Sequence, residues 1–174
     1  EEKAIGDKPA VKKGRDLEDL ILKKAEEVLG IPLEKPKDMY RFKEHPALTV
    51  NFDGVGVEHG VKIPVEAKLV TKWGEKYYNK DISPHISNLI NMTTRHASIE
   101  GHIKFMAEQF GIPPYYYTQV QQEIAALGAP YGYLAALFDH TWDFKLYKIL
   151  RDDFVISKLY VLAEEHYPKI KELQ

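Results

Sequence analysis

The chain has 174 residues, 44% hydrophobic and 29% charged, which suits one soluble globular domain with a sizeable core. No run of 18 apolar residues is present, so a helical membrane span is excluded. The absence of cysteine excludes disulfides, zinc–thiolate sites and cysteine nucleophiles, and fits a cytoplasmic protein. A formal net charge of −2 excludes a globally basic nucleic-acid binder, so any contact with nucleic acid must come from a local basic patch.

Residues 1–13 carry Gly6, Pro9 and many charges without an apolar period, which predicts a loose start and no signal peptide. A helix is predicted from about Gly14-Arg15-Asp16, with Leu17, Leu20, Ile21, Ala25, Val28 and Leu29 at helical spacing and Gly30 and Pro32 as its stop. Residues 31–47 are polar and broken by prolines. Two short strands follow. In the first, Leu48, Val50 and Phe52 alternate with Thr49, Asn51 and Asp53. In the second, Val65, Ala67 and Leu69 alternate with Glu66, Lys68 and Val70. Gly54, Gly56 and His59-Gly60 are expected to supply the turn or bulge between them.

Residues 82–110 read as one or two amphipathic helices. Ile82, Ile86, Leu89, Ile90 and Thr93 make one stripe, and Ile99, Ile103, Met106 and Phe110 the other. Gly111-Ile112-Pro113-Pro114 breaks the pattern. A helix from about Tyr115 to Leu127 ends at Gly128. Tyr133–Phe138 and Phe144–Leu150 read as strands joined through Asp139-His140. A last helix begins at Arg151-Asp152-Asp153, with Ile156, Leu159, Tyr160, Ala163 and Tyr167 as its buried stripe. The order predicts a single α+β domain, 1–174, with a central mixed sheet flanked by helices in an α/β/α-like arrangement. Residues 73–114 are expected to form a helical insertion.

The chemistry concentrates on Asp53, Glu66 and Lys68. Phosphodiester hydrolysis needs an activated water, neutralised charge at phosphorus and help for the leaving oxygen, and hard divalent cations held by oxygen ligands supply these. Strand alternation puts Glu66 and Lys68 on one face, and pairing of the two strands would bring Asp53 beside them. The Ala67 carbonyl is a further candidate metal ligand. Mg²⁺ keeps several waters, so two or three protein ligands suffice, and Lys68 would act as a point charge on the attacking water or the phosphate. The bland alternative is a cross-strand salt bridge on a solvated face. It is weakened by Gly54, which allows a sharp strand exit, and by the apolar flanks of Glu66 and Lys68. Glu18 is a third candidate acid, in line with Leu22, Ala25 and Leu29; it can equally complement the helix dipole. Gln119 and Glu123, four apart, share a polar face on the Tyr115–Leu127 helix. Gln119 there either orients water or a phosphate, or stands on a solvated face, which the segment alone favours. The tyrosines beside it read as packing rather than base-stacking groups, and His85, His96 and His102 as structural or surface residues.

Four ordered motifs run through the chain: Gly14-Arg15-Asp16-Leu17-Glu18, Asn51-Phe52-Asp53-Gly54, Val65-Glu66-Ala67-Lys68 and Tyr116-Tyr117-Thr118-Gln119-Val120-Gln121. Together with Ile149-Leu150-Arg151-Asp152-Asp153 before the last helix, they resemble the YqaJ-type viral recombinase family, the lambda-exonuclease-like branch of the PD-(D/E)XK nuclease superfamily. The resemblance implies a restriction-endonuclease-like core. It also implies Mg²⁺-dependent digestion of linear double-stranded DNA, Mn²⁺ as a substitute metal, 5′→3′ polarity and a role in phage recombination. It implies metal binding by Asp53 and Glu66, catalysis by Lys68, and Glu18 and Gln119 lining the same site. A strand-annealing recombinase partner, a trimeric ring and the cytoplasm of a host cell follow from the same likeness. Family members carry a DNA-end-binding segment ahead of the Gly-x-x-x-Glu motif, and the expectation is that it is absent or not included in this sequence. Lys72, Lys76, Lys80, Arg95 and Lys104 are candidates for phosphate contacts. Two other readings share parts of the pattern: a single-strand or structure-specific RecB-like nuclease, and a non-catalytic DNA-binding or assembly protein on the same fold.

Overall fold

The computed structural model describes residues 9–81 and 98–171. Their elements run α1 (Pro9–Leu29), β1 (Leu33–Glu34), β2 (Tyr40–Arg41), β3 (Thr49–Val50), β4 (Gly54–Glu58), β5 (Val61–Val70), a short 3-10 turn (Glu75–Tyr77), α2 (Ile99–Phe110), α3 (Pro114–Leu127), β6 (Tyr131–Phe138), β7 (Phe144–Leu150) and α4 (Asp153–Lys171). One mixed sheet has the order β1-β4-β5-β6-β7, with β5 and β6 parallel and the other pairs antiparallel. This is the expected α+β class, a five-stranded mixed sheet flanked by helices.

The central position of β5 follows from its sequence. A strand covered on both faces reads as a nearly continuous apolar run, and from Ile63 to Ala67 every residue of β5 is buried. Val65 and Ala67 point to one face, where Ile21, Leu22 and Ala25 of α1 pack with Tyr133, Ala135 and Leu137 of β6. Val70 points to the other, into a larger core of α2, α3, α4, Leu134, Ala136 and Phe138. Glu66 and Lys68 share that second face by alternation. The helix stops are local. Gly111 and Gly128 take left-handed conformations with φ of 69° and 63°, and their N–H groups close the last turns of α2 and α3.

Several expectations change. α1 begins at Pro9, not near Gly14. Proline is tolerated in a first turn, and the buried stripe further along holds the helix together across Gly14. In that stripe Leu20 and Val28 are exposed and Leu22 takes their place. The proline-broken segment 31–47 holds β1 and β2. The expected strand 48–53 shrinks to Thr49–Val50, and it pairs with β2 in a separate two-stranded sheet. The antiparallel partner of β5 is instead β4, which contains the two glycines expected to form the turn. A Cβ on Gly54 would meet Leu22 at 2.9 Å, and one on Gly56 would meet Ile31 and Leu33 at 2.8 Å. These glycines admit α1 and β1, and the turn itself is His59-Gly60, both at positive φ. The stripe Ile82–Thr93, His85, His96 and Arg95 lie outside the described residues.

Candidate active site

Asp53 precedes β4 directly. Gly54 pairs with Val65, so one more register step brings Asp53 level with Glu66. Its Oδ2 accepts the Ala67 backbone N–H at 2.9 Å, which fixes the carboxylate beside β5. Glu66 is fully buried. Its Oε1 pairs with Lys68 Nζ and accepts Gln119 Nε2 at 2.6 Å. The same Gln119 nitrogen lies 3.4 Å from Glu123 Oε1. Lys68 Nζ stands 5.2 Å from the centre of the Tyr116 ring, a cation–π distance. The small Ala136 is the register partner of Lys68 on β6.

The electrostatics describe a cluster short of positive charge. Burial pushes the Asp53 carboxyl up to about 7, reinforced by the Glu66 and Glu18 charges and opposed by the Ala67 N–H and Lys68. Burial, then the Glu66 charge, holds Glu123 well above the usual carboxylate range. Burial pulls Lys68 down, but the Glu66 and Asp53 charges outweigh it and hold the amine above its usual value. Lys68 is therefore an ammonium at neutral pH. Buried Glu66 Oε2 and Glu123 Oε2 have no hydrogen-bond donor among the described residues. An unsatisfied buried carboxylate oxygen is costly, and such atoms mark a place where a cation or a polar ligand would be stabilised.

Of the residues singled out from sequence, Asp53, Glu66, the Ala67 backbone, Lys68 and Gln119 come together. Asp53 does so from the position just before β4, not from the end of a strand paired as expected. Glu18 lies close enough for its charge to act on Asp53, but its carboxylate is engaged by Lys35. No group of three or more His, Asp or Glu side chains arranged to hold a metal ion occurs among the described residues. The oxygen donors near β5 are thus the Asp53 and Glu66 side chains with the Ala67 carbonyl, a hard set of the kind that suits Mg²⁺ with several retained waters.

Glu123 is the residue that sequence reading missed. Its spacing of four from Gln119 was legible, but the polar pair was compatible with a solvated face. Glu123 is buried and Gln119 half-buried, so the pair turns toward Glu66 and not to open solvent. Lys80, one of the candidate phosphate contacts, is engaged by Glu75 and Asp143. His102, read from sequence as structural or surface, is buried, with Nε2 2.8 Å from Asp152 Oδ2. Tyr117 is also buried, whereas Tyr115 is exposed. No helix among the described residues is long and apolar enough to cross a membrane.

No protein-family model matches the chain, and no curated protein matches it. Solved structures do. An alkaline exonuclease, LHK-Exo, from Laribacter hongkongensis superposes with a TM-score of 0.59 at 15% identity, over 92% of this chain and 68% of that one. Its complex with dAMP gives 0.60 at 16% identity, over 94% and 69%. A phage-related exonuclease from Haemophilus somnus 129PT gives 0.56 at 15% identity, over 94% and 73%. The chain carries the fold of these alkaline and phage-related exonucleases.

Proposed function

We propose that this protein is a metal-dependent DNA exonuclease that hydrolyses phosphodiester bonds of linear double-stranded DNA. The observation that carries the reading is the buried Glu66 carboxylate. It is held on one oxygen by Lys68 and Gln119, lacks a donor on the other, and lies level with Asp53 on a fold shared with exonucleases. Asp53, Glu66 and the Ala67 carbonyl would hold Mg²⁺, or Mn²⁺ in its place. A cation so held makes a bound water acidic and neutralises charge at the phosphate.

The chain's own residues supply the rest. Lys68, locked as an ammonium against Glu66, presents a fixed positive charge to the scissile phosphate and is not a base. The Gln119 amide orients the Glu66 carboxylate through a 2.6 Å hydrogen bond. Glu123, whose carboxyl is pushed well above the usual carboxylate range by burial and the Glu66 charge, limits the negative charge behind Glu66. The Ala67 N–H orients Asp53 so that its other oxygen is available to the site. Water adds to phosphorus, one P–O bond breaks, and the products are a phosphate monoester and a free hydroxyl. Polarity of 5′→3′, a role in phage-type recombination, a strand-annealing partner and a trimeric assembly belong to the same reading and rest on the family resemblance.

The test incubates linear duplex with Mg²⁺ or with a chelator, beside closed circular duplex and 5′-blocked ends, with Lys68→Ala in parallel. Mg²⁺-dependent loss of linear duplex that Lys68→Ala abolishes is expected. No metal-dependent loss overturns the nuclease reading. Digestion of closed circles overturns the exonuclease reading, and preference for single strands moves the protein to the RecB-like type.

A further inference from the structure

A second feature opens beside Lys68, at the C-terminal end of β5. A cavity of about 440 Å³ is bounded by Leu69 and Val70, by Thr71 and Gly74, by Pro113, and by Tyr77, Tyr78, Tyr115 and Tyr116. That volume is within the ~300–1,000 Å³ usual for small-molecule sites. Four tyrosines stand in its walls, and two of their rings face water: Tyr77 is 62% exposed and Tyr115 74%. Trp73, outside the lining on the loop between Thr71 and Gly74, reaches 85%. Exposed aromatic rings gathered in one place mark an interaction site more often than a packing need. Exposed Lys72 lies on the same loop, and Lys76 Nζ stands 4.9 Å from the Tyr77 ring centre. An adjoining depression shares Tyr77, Tyr78 and Pro113 and carries Lys76 and Lys104, with Glu108 on its lining too. The Tyr116 ring belongs to the cavity wall and also contacts the Lys68 ammonium. The cavity therefore begins one ring away from the proposed phosphate position.

We infer that this cavity is a stacking site for unpaired nucleobases of the DNA strand whose phosphate lies at Lys68. Aromatic faces beside a cationic track are the physical requirements for holding single-stranded nucleic acid with little sequence preference. The aromatic faces accept any base, and Lys72, Lys76 and Lys104 draw the sugar–phosphate backbone past them. The inference rests on the nuclease reading for the strand's position and not for the stacking itself.

The test measures fluorescence anisotropy of a labelled oligothymidylate of about ten nucleotides, within the usual site size for such surfaces, in chelator so that nothing is cut. The comparison probe is the same length of abasic sugar–phosphate chain. The wild-type protein is expected to bind the base-bearing strand at least about fivefold tighter, the equivalent of one stacked base at ~1 kcal/mol. Tyr77→Ala with Tyr115→Ala should abolish that preference, and the paired Phe substitutions should keep it. Both tyrosines are exposed, so these changes leave the core intact, and unchanged melting verifies it. Equal affinity for the two probes, no binding of either, or a preference that survives the paired Ala substitutions overturns the inference. The duplex-digestion assay is read separately. Digestion without base preference leaves the nuclease and removes the stacking site; base preference without digestion does the reverse.

Discussion

Two polar clusters hang from the same helix, and they are built to opposite rules. Tyr117 and Gln121 of α3 reach Asp152, and Gln119 and Glu123 reach Glu66. In the first cluster the Asp152 carboxylate and the Gln121 amide are fully engaged. Asp152 Oδ2 accepts Tyr117 Oη at 2.7 Å and lies 2.8 Å from His102 Nε2, while Oδ1 accepts the Phe154 and Val155 N–H groups at 3.1 Å, capping α4. The Gln121 amide donates to the Leu150 carbonyl at 2.7 Å and accepts the Asp152 N–H at 2.8 Å. In the second cluster Asp53, Glu66 and Glu123 crowd a single Lys68, and two buried oxygens lack donors. A saturated buried network rigidifies a fold, while an unsaturated one is tolerated where a ligand or a reaction completes it. The difference separates scaffold from site within one helix.

The largest expected effect breaks the second cluster without touching the first. Glu66→Gln keeps the side-chain volume and removes the central carboxylate. Metal-dependent digestion of linear duplex should fall by roughly 10²–10³-fold or more, the scale of deleting one preorganised electrostatic group. The melting temperature of the metal-free protein should hold or rise, because a like charge leaves a buried acidic group. A clear fall in melting temperature together with full activity would reverse the two roles.

The converse change is Asp152→Ala. It removes the cap of α4, worth ~1 kcal/mol, and leaves buried donors unpaired at ~1–3 kcal/mol. Denaturant unfolding should show a loss of about 2–4 kcal/mol, with the specific activity of the folded fraction close to wild type. Loss of activity without loss of stability would place Asp152 in the chemistry instead.

A pH series sharpens the contrast further. The Asp53 carboxyl titrates near 3.8 when unfolded and is raised to about 7 in the fold. Between those values the folded state keeps a proton that the unfolded state has released. The folded state binds more protons, so stability in chelator should fall as pH rises from about 4 to about 7. Asp53→Asn should make that decline shallower, with the raised Glu123 accounting for what remains. Added Mg²⁺ should raise the wild-type melting temperature at pH 7 and above by more than it raises that of Asp53→Asn. Identical slopes for the two proteins would remove the assignment of the buried acidic cluster.

The sequence legibility of the two clusters differs for physical reasons. Glu66 and Lys68 were readable because strand alternation is a local property, and their apolar neighbours Val65 and Ala67 marked a covered strand. The hairpin of β6 and β7 and the stop of α3 at Gly128 were equally local. The partner of β5 was not. Gly54 and Gly56 are glycines because Leu22, Ile31 and Leu33 approach them across the fold, and in one dimension such glycines look like a turn. Glu123 was hidden for the same reason. A polar i,i+4 pair has the same pattern whether it faces water or a buried carboxylate, and only the packing on every side of α3 decides. The saturated cluster was seen only as part of a motif, because Tyr117, Gln121 and Asp152 are far apart in sequence and share no period.

The smallest effect tests where the second cluster ends. Lys35 is mostly exposed and engages Glu18, with Asp19 at 3.9 Å, and the Asp53 charge is felt at its amine. An exposed pair of this kind contributes little to stability, so Lys35→Met should leave the unfolding free energy within about 1 kcal/mol of wild type. Its charge still opposes a cation bound beside Asp53. Removing it makes the site more negative and releases Glu18, so half-maximal activity should need less Mg²⁺, by about two- to threefold at low ionic strength. The gain should vanish in high salt, where a charge at that distance is screened. A gain that persists in high salt would mean that the freed Glu18 carboxylate has become a direct ligand and extended the site onto α1. No gain at any salt would confine the site to β4, β5 and α3 and leave Glu18 to the scaffold.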